Sequence, residues 1–178
     1  LLIFGSMFEV DQWSTDGGRH CSIFSAETHR LAASLSAMRF LAVIITGLAF
    51  AAPAAHAFAL LNKIGMAKAD YFIAQQAYTG WWVVGLLLPL ALLANIGNAV
   101  ALRADGTAMM LSVAAAALIA LNLVIFMVFT QPANAATENW TVQPENWESL
   151  RAQWEYSHAV NAAVTLLAFC CATLASLR

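Results

Sequence analysis

Charge is what this chain has least of. Its 178 residues include eight Lys and Arg and ten Asp and Glu, so 10% are charged, against roughly a quarter in an average soluble domain. So few charges could not clothe the surface of a soluble globule. With 61% of residues in the AVILMFWYC set and a mean hydropathy of +0.71, the composition is also the reverse of a disordered one. A formal charge of −2 and the lack of a basic cluster leave nothing to neutralise phosphates, so nucleic acid is not an expected partner. Cysteine is scarce as well. Cys170 and Cys171 are adjacent in an apolar run and Cys21 stands near the start, which gives neither a disulfide framework nor a CxxC metal pair.

What is present is four long apolar runs: Phe40–Leu61, Trp81–Leu102, Ala108–Thr130 and Ala159–Leu177. Each reaches the roughly 20 residues needed to cross a bilayer core as a helix. None contains Asp, Glu, Lys or Arg. They do not alternate apolar and polar residues as barrel strands do, and Pro53 and Pro89 are tolerable as kinks in membrane helices. The expected fold is all-α, a four-transmembrane-helix bundle formed by residues 38–178. Lys and Arg are three on each side of these spans, and the terminal positions tip the orientation to both ends in the cytoplasm of a bacterial inner membrane. Residues 1–37 hold four acids and two Arg without a sustained period. They read as a poorly ordered leader, with Met38-Arg39 as the natural start. Met38 to Ala57 also has the parts of a signal peptide ending in Ala-His-Ala, but the apolar run continues to full spanning length, so retention is expected.

Polar groups converge at one depth. His56 lies about one and a half turns before the end of span one. Gln76, Tyr78 and Trp81 stand at the entry of span two, Asn122 lies two turns inside span three, and Trp154, Glu155 and His158 open span four. From Trp147 the sequence runs into span four without Gly or Pro. At about 100° per residue Glu148, Arg151, Glu155, His158, Ala162 and Thr165 form one stripe. One long helix with an amphipathic extension outside the membrane is therefore expected. Glu155 and His158, at i and i+3, read as a carboxylate orienting an imidazole.

Plainer roles compete. The tryptophans serve as interfacial anchors, and Lys63 and Arg151 snorkel to the surface. Asn95, Asn98 and Asn122 act as hydrogen-bonding glue between helices. A metal is not expected. The alternative donor set is His56, Glu155 and His158, a two-His-one-carboxylate triad suited to iron if facial.

The run from Ala55 to Trp82, followed by NWESLRAQWEYSHAVNA, resembles the anthrone-oxygenase-like family of small four-helix membrane proteins. The likeness covers about 140 residues from Met38 to the end, and rests on His56, Asn62-Lys63, Gln76, Tyr78, Trp81 and Trp154-Glu155-x-x-His158. Ala57–Leu60 departs from it, lacking an acid that many relatives carry. Fungal members oxidise anthrones to anthraquinones with dioxygen and without an obvious cofactor. The resemblance thus implies a cofactor-independent oxygenase acting on a lipophilic aromatic or phenolic substrate. His158, oriented by Glu155, would be the base, and His56 or Arg151 would steady the oxyanion. Trp81 and Trp154 would line a slot for the substrate, with Gln76, Tyr78 and Asn122 beside it. The partners so implied are the bilayer and a small aromatic molecule, and a second copy of the chain would serve a transporter reading. The other reading is non-enzymatic: a membrane subunit whose polar cluster holds the helices or a partner.

Overall fold

The computed structural model describes residues 11–178, with side chains from residue 27 onward. The chain divides into two units, Leu1–Ala37 and Met38–Arg178. The leader expected over 1–37 lies partly outside the described residues, and from Asp11 it is helical.

The described residues are all-helical. α1 (Asp11–Lys63) is followed by the short α2 (Lys68–Gln75) and a 3₁₀ turn (Gln76–Tyr78). α3 (Trp82–Gly85) and α4 (Leu87–Ala101) make up the second span. α5 (Gly106–Ile125), a π-helical turn (Phe126–Thr130) and α6 (Gln131–Ala136) make up the third, and α7 (Trp147–Ser176) the fourth. Glu27–Lys63, Trp82–Ala101, Gly106–Ala136 and Trp147–Ser176 are the four helices long and apolar enough to cross a membrane. The spans match the apolar runs, and α7 is a single helix that takes in the amphipathic extension.

Local chemistry explains the breaks. Pro89 has no N–H to give to Gly85, so the second span parts at Leu86 into α3 and α4. Asp105 caps α5, its side chain accepting from the backbone N–H groups of Thr107 and Ala108 at 3.0 Å each. Pro132 cannot donate to the turn before it, and there the helix widens to π geometry. The Phe129 carbonyl in that turn accepts Gln153 Nε2 from α7 at 2.7 Å.

Within the second unit, much of the buried interior of the bundle is built from small residues. Ala42, Ala91, Ala108, Ala115, Ala168, Ala172 and Ala175 are fully buried. Lipid tails are as apolar as any side chain, so membrane helices associate through close packing of small residues rather than through hydrophobic exclusion from water. A Cβ on Gly47 would sit 3.0 Å from the Phe169 ring, so glycine there lets α1 approach α7. Threaded among the alanines are cross-helix hydrogen bonds. Asn95 Nδ2 donates to Thr46 Oγ1 at 2.8 Å (α4 to α1), Asn98 Nδ2 to Ser112 Oγ at 3.0 Å (α4 to α5), and Asn122 Nδ2 to Thr165 Oγ1 (α5 to α7).

Candidate functional site

At the end of the bundle where α1 stops and α7 begins, the packing changes from alanine to aromatic. Tyr71, Phe72, Trp140, Trp147 and Trp154 are all buried there, with Tyr78 and Met66 packed against them. α2 supplies Tyr71 and Phe72 from the connection after α1. Trp140 comes from the loop after α6, where Glu138, Asn139 and Trp140 all take positive φ (46°, 56° and 65°). For non-glycine residues each such conformation is costly. The strained turn is held by Thr137 Oγ1, which accepts the Trp140 N–H, and by Gln76 Nε2, which donates to the Trp140 carbonyl at 3.2 Å.

His56 reaches this layer from α1. Its ring centroid lies 4.2 Å from that of His158, 4.3 Å from Tyr78, 4.7 Å from Trp154 and 5.7 Å from Trp81. His158 in turn lies 4.3 Å from Trp154. The two imidazoles are in contact, and the slot expected between Trp81 and Trp154 is occupied by His56 itself. His56 is 5% exposed. The Nδ1 atoms of both rings are buried without a hydrogen-bond partner.

Seven residues beyond His56, two turns along α1 and hence on the same face, lies Lys63. It is buried, and its ammonium stands 4.7 Å from the ring centroids of both Tyr78 and Trp154, the same two rings that touch His56. It pairs with Glu155 at 2.8 Å. Glu155 is completely buried, and its Oε1 also accepts the Tyr71 hydroxyl at 3.0 Å. Gln75 Nε2 donates to that same hydroxyl oxygen at 2.7 Å. Burial first, and then the charge of Glu155, push the Tyr71 phenol far above its ordinary pKa, so it remains a donor. Glu155 Oε2 has no partner, and Lys63 finds no acceptor besides Glu155, which leaves ammonium protons unspent.

The expected pairing of Glu155 with His158 is corrected by this geometry. A fully buried carboxylate needs an opposite charge, and Lys63 supplies it across the bundle in place of the imidazole one turn away. The alternative metal triad falls for the same reason: among the described residues no group of three His, Cys, Asp or Glu side chains could hold a metal ion. Arg151 donates to the Met66 carbonyl at 2.8 Å and lies over Trp147 and Tyr71. It braces the α1–α2 connection, and no described contact joins it to either imidazole. Trp154 Nε1 donates to Asn134 Oδ1 at 2.8 Å, which fixes the indole. Asn122 lies deeper and bonds to Thr165 and to the Asn161 carbonyl, so the structure keeps it apart from the ring cluster. Gln76 stands at the rim, where a hollow of about 420 Å³ opens among Phe72, Ile73, Gln76 and Trp140. The histidines are not among its walls.

The structure therefore brings His56, Tyr78, Trp81, Trp154 and His158 together and sets Glu155 behind them. The sequence assigns Lys63 only a snorkelling role, which its burial against Glu155 corrects, and it gives no site role to Tyr71 or Gln75. Two of the three carried a usable signal: Lys63 follows His56 by two whole turns, and Gln75 follows Tyr71 by four residues. Comparison of the chain with family models, with curated proteins and with solved structures finds no match in any of the three.

Proposed function

We propose that this protein is an integral membrane oxidoreductase that uses the His56–His158 pair to oxidise a lipophilic aromatic or phenolic substrate with dioxygen, as its resemblance to anthrone-oxygenase-like proteins implies. In this reading it lies in a bacterial inner membrane with both termini on the cytoplasmic side. The supporting observation is the unspent polar capacity of the cluster. His56 Nδ1 and His158 Nδ1, on two rings in contact, are buried without partners, and so is Glu155 Oε2 behind them. Each such atom costs about 1–3 kcal/mol when left unmade, and evolution retains that cost most readily where a ligand meets it. His158 and Tyr78 are half-buried and Trp81 is 38% exposed, so a flat molecule dissolved in lipid reaches the imidazoles at their Trp81 edge.

The chemistry follows from the groups present. A neutral imidazole removes a proton from an acidic carbon or a phenol. A carbanion so formed adds to dioxygen, and the resulting peroxide anion takes the proton back from the imidazolium. Loss of water then turns a CH₂ group into a ketone. Lys63 is the cation placed to hold a developing oxyanion. Oxygen uptake by the purified protein with anthrones or phenols tests this. The expected result is uptake that His158→Ala abolishes, and equal uptake by wild type and variant contradicts it.

One observation favours a second reading. With the imidazoles only 4.2 Å apart and His56 filling the space between the tryptophans, the cluster also packs as a latch joining α1 to α7. A latch predicts loss of stability in His56→Ala and His158→Ala with no oxygen chemistry to lose.

A further inference from the structure

Lys63 and Glu155 were not read from the sequence as partners, and their placement extends the site in one direction. Lys63 meets the same Tyr78 and Trp154 rings as His56 and carries Glu155 with it, yet the pair stands nearer the end of the bundle. Lys63 lies about 10 Å further along α1 than His56, and Glu155 about 4.5 Å before His158 on α7. The cluster thus has two polar stations, an imidazole pair and an ammonium–carboxylate pair, joined by the Tyr78 and Trp154 rings. Both stations hold a buried atom without a partner, Nδ1 in one and Glu155 Oε2 in the other, and Nδ1 accepts a proton when the ring carries its hydrogen on Nε2. Lys63 adds unspent donors beside the second.

Resting on the oxidoreductase reading above, we propose that the substrate is a para-quinol, a flat ring with an ionisable oxygen at each end. An anthrone or a simple phenol has one such oxygen and leaves one station idle. A quinol engages both, with its ring against Tyr78 and Trp154 and its lipid tail leaving past Trp81. The reaction balances with dioxygen as the oxidant. One hydroxyl gives its proton to an imidazole Nδ1 and the other to Glu155 Oε2, breaking both O–H bonds. Two electrons pass from the ring to dioxygen, and both C–O bonds become C=O. The two protons then leave the imidazolium and the carboxylic acid for the reduced dioxygen, giving hydrogen peroxide and the quinone. Lys63 is a positioning residue for the anionic oxygen that forms before the electrons leave.

The test uses the whole chain in phosphatidylcholine vesicles, with decylubiquinone as a binding probe and duroquinol as a substrate probe. Quenching of the tryptophan fluorescence by decylubiquinone is expected to saturate. His56→Phe and Lys63→Met are expected to weaken it tenfold or more, and Ser112→Ala in the mid-bundle to leave it unchanged. Because Lys63→Met strands Glu155, the double variant Lys63→Met/Glu155→Met is measured beside it. Replacing a buried ion pair by apolar groups is often neutral for stability, so its melting stays near wild type while binding is lost. Unsaturable quenching, identical in all variants, overturns the quinol assignment. Anthrone oxidation without quinone binding also overturns it and leaves the oxidoreductase reading standing. Saturable quinone binding without peroxide formation supports the quinol site and ends the oxidising role.

Discussion

The middle of the bundle and the end carrying the histidines are both polar, yet they spend their polarity differently. In the middle, Asn95, Asn98 and Asn122 each donate a side-chain N–H to a hydroxyl on a neighbouring helix. Small residues such as Ala49, Ala91 and Ala168 pack there together with Ile119 and several leucines. At the histidine end the side chains are large and aromatic, and a fully buried carboxylate is matched to a lysine from another helix. Two imidazoles touch each other with their Nδ1 atoms unpaired. The first region acts as glue between helices, with the Oδ1 atoms of Asn95 and Asn98 also buried without a partner. The second holds more buried groups without a partner, among them both imidazole Nδ1 atoms and Glu155 Oε2, and in the reading proposed above that excess marks a ligand site.

The sharpest way to break the comparison is His158→Ala. A general base contributes about two to four orders of magnitude in rate, so oxygen uptake is expected to fall by at least a hundredfold while helix content by circular dichroism stays unchanged. If melting drops and no rate exists to lose, the histidine end is glue like the middle. Next comes Glu155→Ala, which leaves Lys63 buried without a counter-charge and the Tyr71 hydroxyl without its acceptor. Breaking a buried pair from one side costs about 3–5 kcal/mol, to be read from unfolding in detergent micelles, and the Met/Met double variant is expected to recover most of it.

Within the middle, Asn95→Ala is expected to cost about 0.6–2 kcal/mol, the span measured for hydrogen bonds between membrane helices. A double-mutant cycle with Thr46→Ala isolates the pair, and a coupling near zero would remove Asn95 from the glue. The smallest expected effect lies in the strained turn. Glu138 is exposed with φ of 46°, and Glu138→Gly relieves that conformation, raising stability by up to about 1 kcal/mol with no change in oxygen uptake.

Much of the fold was legible because a bilayer imposes a simple length and composition rule. Four runs free of charge gave four helices, and the uninterrupted stretch from Trp147 gave one continuous α7. The gathering of His56, Tyr78, Trp81, Trp154 and His158 was legible too, since each sits near the same end of its helix. What stayed hidden was which polar groups pair. Helical periodicity favoured Glu155 with His158, but burial of a carboxylate is settled by the nearest cation in space, and Lys63 lies 92 positions away in the chain. Asn122 matched the cluster in approximate depth but faces α7 at Thr165, a rotation that sequence spacing on another helix does not set. Tyr71 has no sequence signal of its own; the fold of α2 carries it against Glu155.

The most direct test of the site is nitrogen-15 NMR of the histidine-labelled protein in lipid, titrated with duroquinol under anaerobic conditions. The account predicts that the ring-nitrogen resonances of His56 and His158 shift together and saturate, while labelled asparagine amides at 95 and 98 stay still. Imidazole resonances that ignore the quinol, in a protein that melts lower as His158→Ala, would contradict it.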